Sequence, residues 1–298
     1  MLELINLSKE FKNKKAVNNI NLKIDQGEML GFLGRNGAGK TTTFRMILGL
    51  IEPSNGQVLY NKKNINSDLY DYIGYLPEER GLHPKLTVEK ELRYMASLKN
   101  MNKKSIISEI DYWLKTFKIK ENKNKKIEEL SKGNQQKIQL ISSIIHNPQL
   151  LILDEPFSGL DPVNVELLKK AIINLNQNGT SIIFSTHRMD HVEELCDSIC
   201  IMKKGQIELY GQINEIKKNY GFKEVHINTK ENIDYLEKID GVIKKTMSSN
   251  DHVFIVENDS VAENLFKEIK KCDNLQKFEI VEPSLNEIFI DKVGEKNE

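Results

Sequence analysis

The sequence predicts an α/β fold: a mostly parallel sheet with helices packed on it, an antiparallel layer beside it, and a small α+β domain after it. Three observations carry that prediction. A short apolar run at 28–33 leads through a glycine-rich loop into a helical pattern over 42–48. Strand-like runs at 28–33, 71–76, 149–154 and 181–185 alternate with helical patterns, as in a parallel sheet with helical crossovers. After about Gly221 the texture shifts to short alternating runs, two of which flank a Ser-Ser-Asn-Asp turn.

Taken in order, residues 2–7 (LELINL) and 17–24 (VNNINLKI) alternate between apolar and polar, which predicts the antiparallel layer. Gln26-Gly27 turns the chain into the strand at 28–33. Between about 86 and 146 the strands stop. Helical periodicity over 87–99 and 103–117, with Ile106, Ile110, Trp113, Leu114 and Phe117 on one side, predicts a helical subdomain inserted in the core. Lys118 to Lys126 is charged, broken by Glu121 and asparagines, and predicts a solvated connector. A further helix starts at Ser131, with Ile138, Ile141 and Ile145 along it. The domains predicted are 1–220 and 221–298. In the second, strands at 224–228, 242–247, 252–257 and 276–281 with helices at 231–239 and about 261–269 give the order β-α-β-β-α-β, the ferredoxin-like arrangement. A closing helix is expected at 284–293.

Composition narrows the function classes. The 298 residues carry 43 Lys+Arg and 43 Asp+Glu, a formal net charge of zero. That argues against bulk electrostatic binding of nucleic acid or an anionic membrane, so no nucleic-acid partner is expected. No apolar run approaches the roughly 20 residues that cross a bilayer, and MLELINLSKEF lacks the apolar core of a signal peptide. A cytoplasmic chain is expected, with any membrane role exercised through a partner. Three cysteines, Cys196, Cys200 and Cys272, build no disulfide framework and are expected as ordinary buried thiols.

Gly34 to Thr41 read GRNGAGKT, which is G-x-x-x-x-G-K-[ST], a phosphate-binding P-loop in the strand–loop–helix setting it requires. Gly34, Arg35, Asn36, Gly37, Ala38 and Gly39 would turn backbone N–H groups inward around phosphate oxygens, with the following helix N-terminus, from Lys40 through Thr42, behind them. Lys40 would reach the β- and γ-phosphates, and the Thr41 hydroxyl would sit on Mg²⁺. Residues 150–155 (LLILDE) form a buried strand ending in two carboxylates, where ligands gather in open α/β sheets. This is a Walker B strand: Asp154 would hold Mg²⁺ and Glu155 would activate the attacking water. The expected ligands are ATP and Mg²⁺.

These motifs, with LSKGNQ at 130–135, SGLD at 158–161 and Ser185-Thr186-His187, resemble the ABC ATPases over roughly residues 1–220. The resemblance implies a P-loop NTPase: a RecA-like core, an antiparallel layer and a helical subdomain that carries the signature. Phe11 matches the aromatic that stacks on adenine, and Val17 is assigned beside it. Ser131, Lys132, Gly133 and Asn134 stand in the signature, which in this family contacts ATP held by the opposite subunit. Ser158, Gly159, Leu160 and Asp161 stand in the D-loop, and His187 is the switch histidine that meets the γ-phosphate. His191, four residues on, is expected on the helix surface and not as half of a zinc pair, because no third ligand is evident.

Two departures from the family pattern stand out. Glu78, in LPEERGL, replaces the usual glutamine of a loop that contacts both metal and membrane partner; a carboxylate there can still ligate Mg²⁺. Lys132 replaces a signature glycine and adds positive charge near the phosphate. LPEERGL, LSKGNQQK and the ending EPSLNEIF together look like the ATP-binding subunits of ABC-2-type exporters, including those similar to sodium-efflux ATPases. That subset implies an ATPase that pairs with a second nucleotide-binding domain, identical or not, and energises a separate integral membrane permease from the inner face of the cell membrane. A soluble ABC ATPase of translation or DNA repair is the alternative. It is disfavoured by the single nucleotide-binding domain, the lack of a long heptad run and the zero net charge.

Overall fold

Strand by strand, the apolar runs of the sequence pair into three sheets among the described residues. The computed structural model describes residues 1–294 apart from 13, 65, 66, 80 and 249, with backbone alone at 67–69. Two expectations touch the exceptions: Arg80 of the partner-contacting loop and Ser249 of the hairpin turn lie outside the described residues. The chain divides into two compact units, Met1–Gly211 and Gln212–Glu298. The division read from the sequence, at 220/221, lay further along the chain.

The first unit begins with β1 (Leu2–Phe11), β2 (Lys14–Ile24), β3 (Met29–Gly34), α1 (Lys40–Ile47), β4 (Asn55–Tyr60), β5 (Lys63–Asn64) and β6 (Ile73–Leu76). It continues with α2 (Val88–Ser97), α3 (Lys103–Thr116), α4 (Lys132–Ile144), β7 (Leu150–Asp154), α5 (Pro162–Gln177), β8 (Ser181–Ser185), α6 (Met189–Leu195), β9 (Ser198–Lys203) and β10 (Gln206–Gln212). β2-β1-β4-β5 make the antiparallel layer, and β10-β9-β3-β8-β7-β6 make the central sheet. In the central sheet β9, β3, β8, β7 and β6 run parallel. Leu4, Leu7, Ile20 and Leu22 of the layer share one buried cluster with Phe32 of β3 and Phe44 of α1, whose rings lie 5.2 Å apart. α1 is thereby held by its apolar side, which fixes the loop at its N-terminus.

α2, α3 and α4 form the helical subdomain, each opened by a side-chain cap: Thr87, Asn102 and Ser131 accept from backbone N–H groups three residues on. The run at 118–126 holds a short 3₁₀ turn (Lys120–Asn122) whose Asn122 is buried, so the connector is tied down and not merely solvated. Among the described residues no helix is long and apolar enough to cross a membrane.

The second unit holds α7 (Ile213–Lys218), β11 (Lys223–Asn228), a 3₁₀ turn (Asp234–Lys238), β12 (Val242–Ser248), β13 (Asp251–Val256), α8 (Asp259–Ile269), β14 (Lys277–Val281) and α9 (Leu285–Val293). Its sheet order is β12-β13-β11-β14, antiparallel throughout, which is the ferredoxin-like order with the first helix reduced to the 3₁₀ turn. Val225, Ile227, Phe254 and Val256 on one sheet face pack against Val261, Leu265 and Ile269 of α8.

Candidate active site

The C-terminal ends of β3, β7 and β8 lie side by side: Asp154 pairs with Ser185, and Gly31 with Phe184. The loop after β3 follows from its glycines. Gly39, the residue before α1, has φ 110°, and a Cβ on it would stand 2.6 Å from the Ala16 carbonyl, so only glycine fits. Ala38 N–H donates to Arg35 O at 3.0 Å, Gly205 N–H donates to Ala38 O at 2.9 Å, and Thr43 Oγ1 donates to Gly39 O at 3.0 Å. Lys40 Nζ donates to the Gly34 carbonyl at 2.6 Å. Burial pushes the Lys40 ammonium below its ordinary value, and the nearby carboxylates of Asp154, Glu155 and Glu78 oppose that.

The loop residues from Gly34 through Thr42 line a cavity of about 980 Å³. Phe11, Glu78, Asp154, Glu155, Ser158 and His187 share it. Phe11 is 48% exposed, with the Lys9 ammonium 5.2 Å from its ring centroid. Val17 does not line the cavity. It is fully buried in the core, because the alternation of β2 turns it inward, and it packs near Gly39 from below. Lys14, Lys15 and Lys204 line the cavity unforeseen; the basic run Lys12–Lys15 directly after Phe11 was the available signal for the first two.

Asp154 is buried, and Ser185 Oγ donates to its Oδ1 at 2.5 Å. Glu155 sits at φ 50°, an uncommon conformation for a residue with a Cβ, held by its N–H to Ser185 O at 3.0 Å. Thr186 Oγ1 donates to Glu155 Oε2 at 3.1 Å, and His187 Nδ1 meets Oε1 at 3.0 Å. The His187 side chain is 77% exposed. His191, expected at the surface, is buried instead. It packs edge-on against Phe157 at 4.9 Å, and burial lowers its pKa and favours the neutral ring. Burial likewise raises the thiols of Cys196 and Cys200, and Cys196 and Cys272 are only partly buried by residue exposure.

The residues assigned to the signature do not line this cavity. Ser131 and Lys132 are exposed at the start of α4, with Ser131 capping Asn134 N–H at 3.3 Å. Gly133 lies against the D-loop: a Cβ there would be 3.3 Å from Asn164 and 3.7 Å from Leu160. Asp161 caps α5 by accepting from Asn164 N–H at 3.1 Å, Pro162 follows at the first helical turn, and Gly159 takes φ 71° between them and Ser158. Gln136 Nε2 of α4 donates to Pro156 O at 3.0 Å. The helix that starts at Ser131 is thus hydrogen-bonded to the residue that follows Glu155.

The donor set suits a hard divalent cation. Thr41, Asp154 and Glu78 all offer oxygen and all border the cavity. These residues would hold Mg²⁺, which when bound supplies positive charge for phosphate oxygens.

The family model described as "ABC transporter" matches residues 17–158, and that of the "ATP-binding protein DrrA1-3-like, C-terminal domain" matches residues 211–293. The chain is 48% identical to the Bacillus subtilis ABC transporter ATP-binding protein YhaQ, over 99% of each chain. It is 33% identical to the ABC transporter ATP-binding protein NatA of Bacillus subtilis, over 72% of this chain and 91% of that one. Among solved structures, cbiO1 of Clostridium perfringens, described as part of the ABC transporter complex cbiONQ, superposes with a TM-score of 0.66 at 29% identity, covering 73% of this chain and 90% of that one. The GRNGAGKT loop, Asp154, Glu155 and His187 share one cavity, and a relative matches along nearly the whole length: the chain belongs to the ABC transporter ATP-binding proteins, the P-loop ATPases that serve these transporters.

Proposed function

We propose that this chain is the ATPase subunit of an ABC-2-type exporter, driving a separate membrane permease from the inner face of the cell membrane. One observation carries the reading. The loop, both carboxylates and His187 converge on a single cavity, while Ser131 and Lys132 stand exposed outside it. A second nucleotide-binding domain, a copy of this chain or a related one, would bring its own Ser131 helix start to the phosphate, so that ATP becomes part of the interface. In hydrolysis Glu155 takes a proton from water, the water oxygen bonds to the γ-phosphorus, and the bond to the β-bridging oxygen breaks with ADP keeping the electron pair. Lys40 and His187 stabilise the charge that develops on the γ-oxygens.

An apolar groove of about 370 Å³ beside the connection between β6 and α2, bordered by Leu50, Tyr75, Leu82 and Leu98, offers the permease a seat. Leu50 and Leu98 are 64% and 57% exposed, which fits a surface covered by a partner. Met1–Gly211 serve as the nucleotide-binding domain and Gln212–Glu298 as an accessory dimerisation or docking module, and the permease selects the cargo.

The test is a pull-down of tagged Glu155→Gln protein from gently solubilised membranes with ATP. Retention of a multi-span membrane protein, together with lost turnover and preserved ATP binding, supports the reading. Recovery of ribosomal or DNA-associated partners alone would overturn it in favour of a soluble ATPase.

A further inference from the structure

The three residues at the end of β8 reach the two carboxylates at the end of β7 one by one: Ser185 to Asp154, Thr186 to Glu155 Oε2, and His187 to Glu155 Oε1. The middle contact differs from its neighbours. Thr186 is buried, whereas His187 is exposed. The Thr186 hydroxyl also accepts from the Arg188 N–H at 3.1 Å. A hydroxyl has one proton to give. With Arg188 filling a lone pair, that proton is aimed at Glu155 Oε2.

We propose that Thr186 is a positioning residue for hydrolysis. It pins Oε2 of Glu155, so that Oε1 is the oxygen that receives the proton from water once His187 turns to the phosphate. This rests on Glu155 being the base. The need for such a pin is structural. The backbone of Glu155 is in the left-handed region at φ 50°, where a glutamate side chain has no help from regular strand geometry. Its other partner, His187, is exposed, and on this reading it is the one that turns to the phosphate. Without Thr186 the carboxylate loses its fixed contact at the moment it must be aimed, and a misplaced base loses rate without losing nucleotide affinity.

Lys14, Lys15, Arg35, Lys40, Glu78, Asp154, His187 and Lys204 line the same cavity as Glu155, and His187 meets Oε1, not the Oε2 that Thr186 holds.

The experiment is steady-state ATPase kinetics on the full chain for Thr186→Val, Thr186→Ser and Glu155→Gln. Thr186→Val should lower kcat roughly tenfold, the loss of one hydrogen bond to a charged group, with KM for ATP within about twofold of the parent. Thr186→Ser should restore most of the rate. A Thr186→Val enzyme with parental kcat, a Thr186→Val loss carried by KM and not by kcat, or a serine variant that fails to rescue would each overturn the proposal. If Glu155→Gln itself turned over at the parental rate, the base assignment would fall instead, a separate result.

Discussion

Gln136 and Pro156 are joined by a hydrogen bond of 3.0 Å, side chain to carbonyl, between the helix that starts at Ser131 and the turn that follows Glu155. Gln136 is 4% exposed and Pro156 is buried, so the bond is shielded from solvent. Replacing Gln136 with leucine leaves the Pro156 carbonyl without its donor, at a cost of about 1–3 kcal/mol. ATP affinity of the isolated subunit should stay within about twofold, while steady-state turnover falls severalfold, because the start of α4 and the catalytic turn lose their shared register. Titration calorimetry beside a phosphate-release assay separates the two, and equal losses in both would show that Gln136 only supports folding.

Gly39→Ala should disable the phosphate loop. The residue sits at φ 110°, and the new methyl would stand 2.6 Å from the Ala16 carbonyl. The strain is about 1–3 kcal/mol, and the loop must open to relieve it. ATP binding should be lost together with a drop of a few degrees in Tm, and an unchanged melting curve with full binding would contradict the geometry.

Glu78→Gln bears on the departure from the family pattern. Glu78 borders the same cavity as Asp154 and the P-loop. With metal chelated, its carboxylate repels the γ-phosphate, so Glu78→Gln should tighten ATP binding in EDTA by roughly threefold, a screened and partly exposed charge effect. With Mg²⁺ present the gain should shrink or reverse. Equal affinities for parent and variant under chelation would remove Glu78 from the phosphate's surroundings.

In the second unit, Glu224 on β11 is buried, feels the charge of Glu287 on α9, and has His226 at 2.9 Å. Burial first, and Glu287 second, push its carboxyl up to about 7 against the opposing pull of His226. The raised value means the folded state holds the proton more firmly. The stabilisation is therefore fully present below the ordinary value of 4.5 and is lost as pH rises through about 7. Burial raises Glu287 too, but Glu224 and the hydrogen bonds from Ser284 outweigh it, so its own titration falls below 4.5 and outside that window. Hydrogen exchange of α9 amides, corrected for intrinsic rates, should quicken as pH rises from about 4.5 to about 7 in the parent and stay level in Glu224→Gln. A parent with constant protection over that range would refute the raised carboxyl.

Much of this was legible in the chain because local signals were complete. The glycine loop, the carboxylate pair after LLIL and the ferredoxin-like order each rest on contiguous residues, and the structure has β3, β7 and β11 to β14 within a residue or two of those runs. What escaped depends on distant partners. β9 (SICIMK) is buried on both faces and becomes a strand by pairing with β3, far back in the chain. β4 opens with Asn55-Gly56, which reads as a turn until β1 is beside it. The stretch 71–76 was expected as strand throughout, yet Asp71 and Tyr72 finish a 3₁₀ turn and only Ile73–Leu76 pair with β7. At the site, Val17 and His191 were misjudged for one reason. Identity and spacing do not say which way a side chain turns, and both turn into apolar packing.

The Lys40 ammonium donates to the Gly34 carbonyl at 2.6 Å, tying the first residue of α1 back to the last of β3. The side chain thus closes the glycine loop on itself. A substitution that shortens Lys40 would take away a cation and, with it, the brace across the backbone that carries the loop amides.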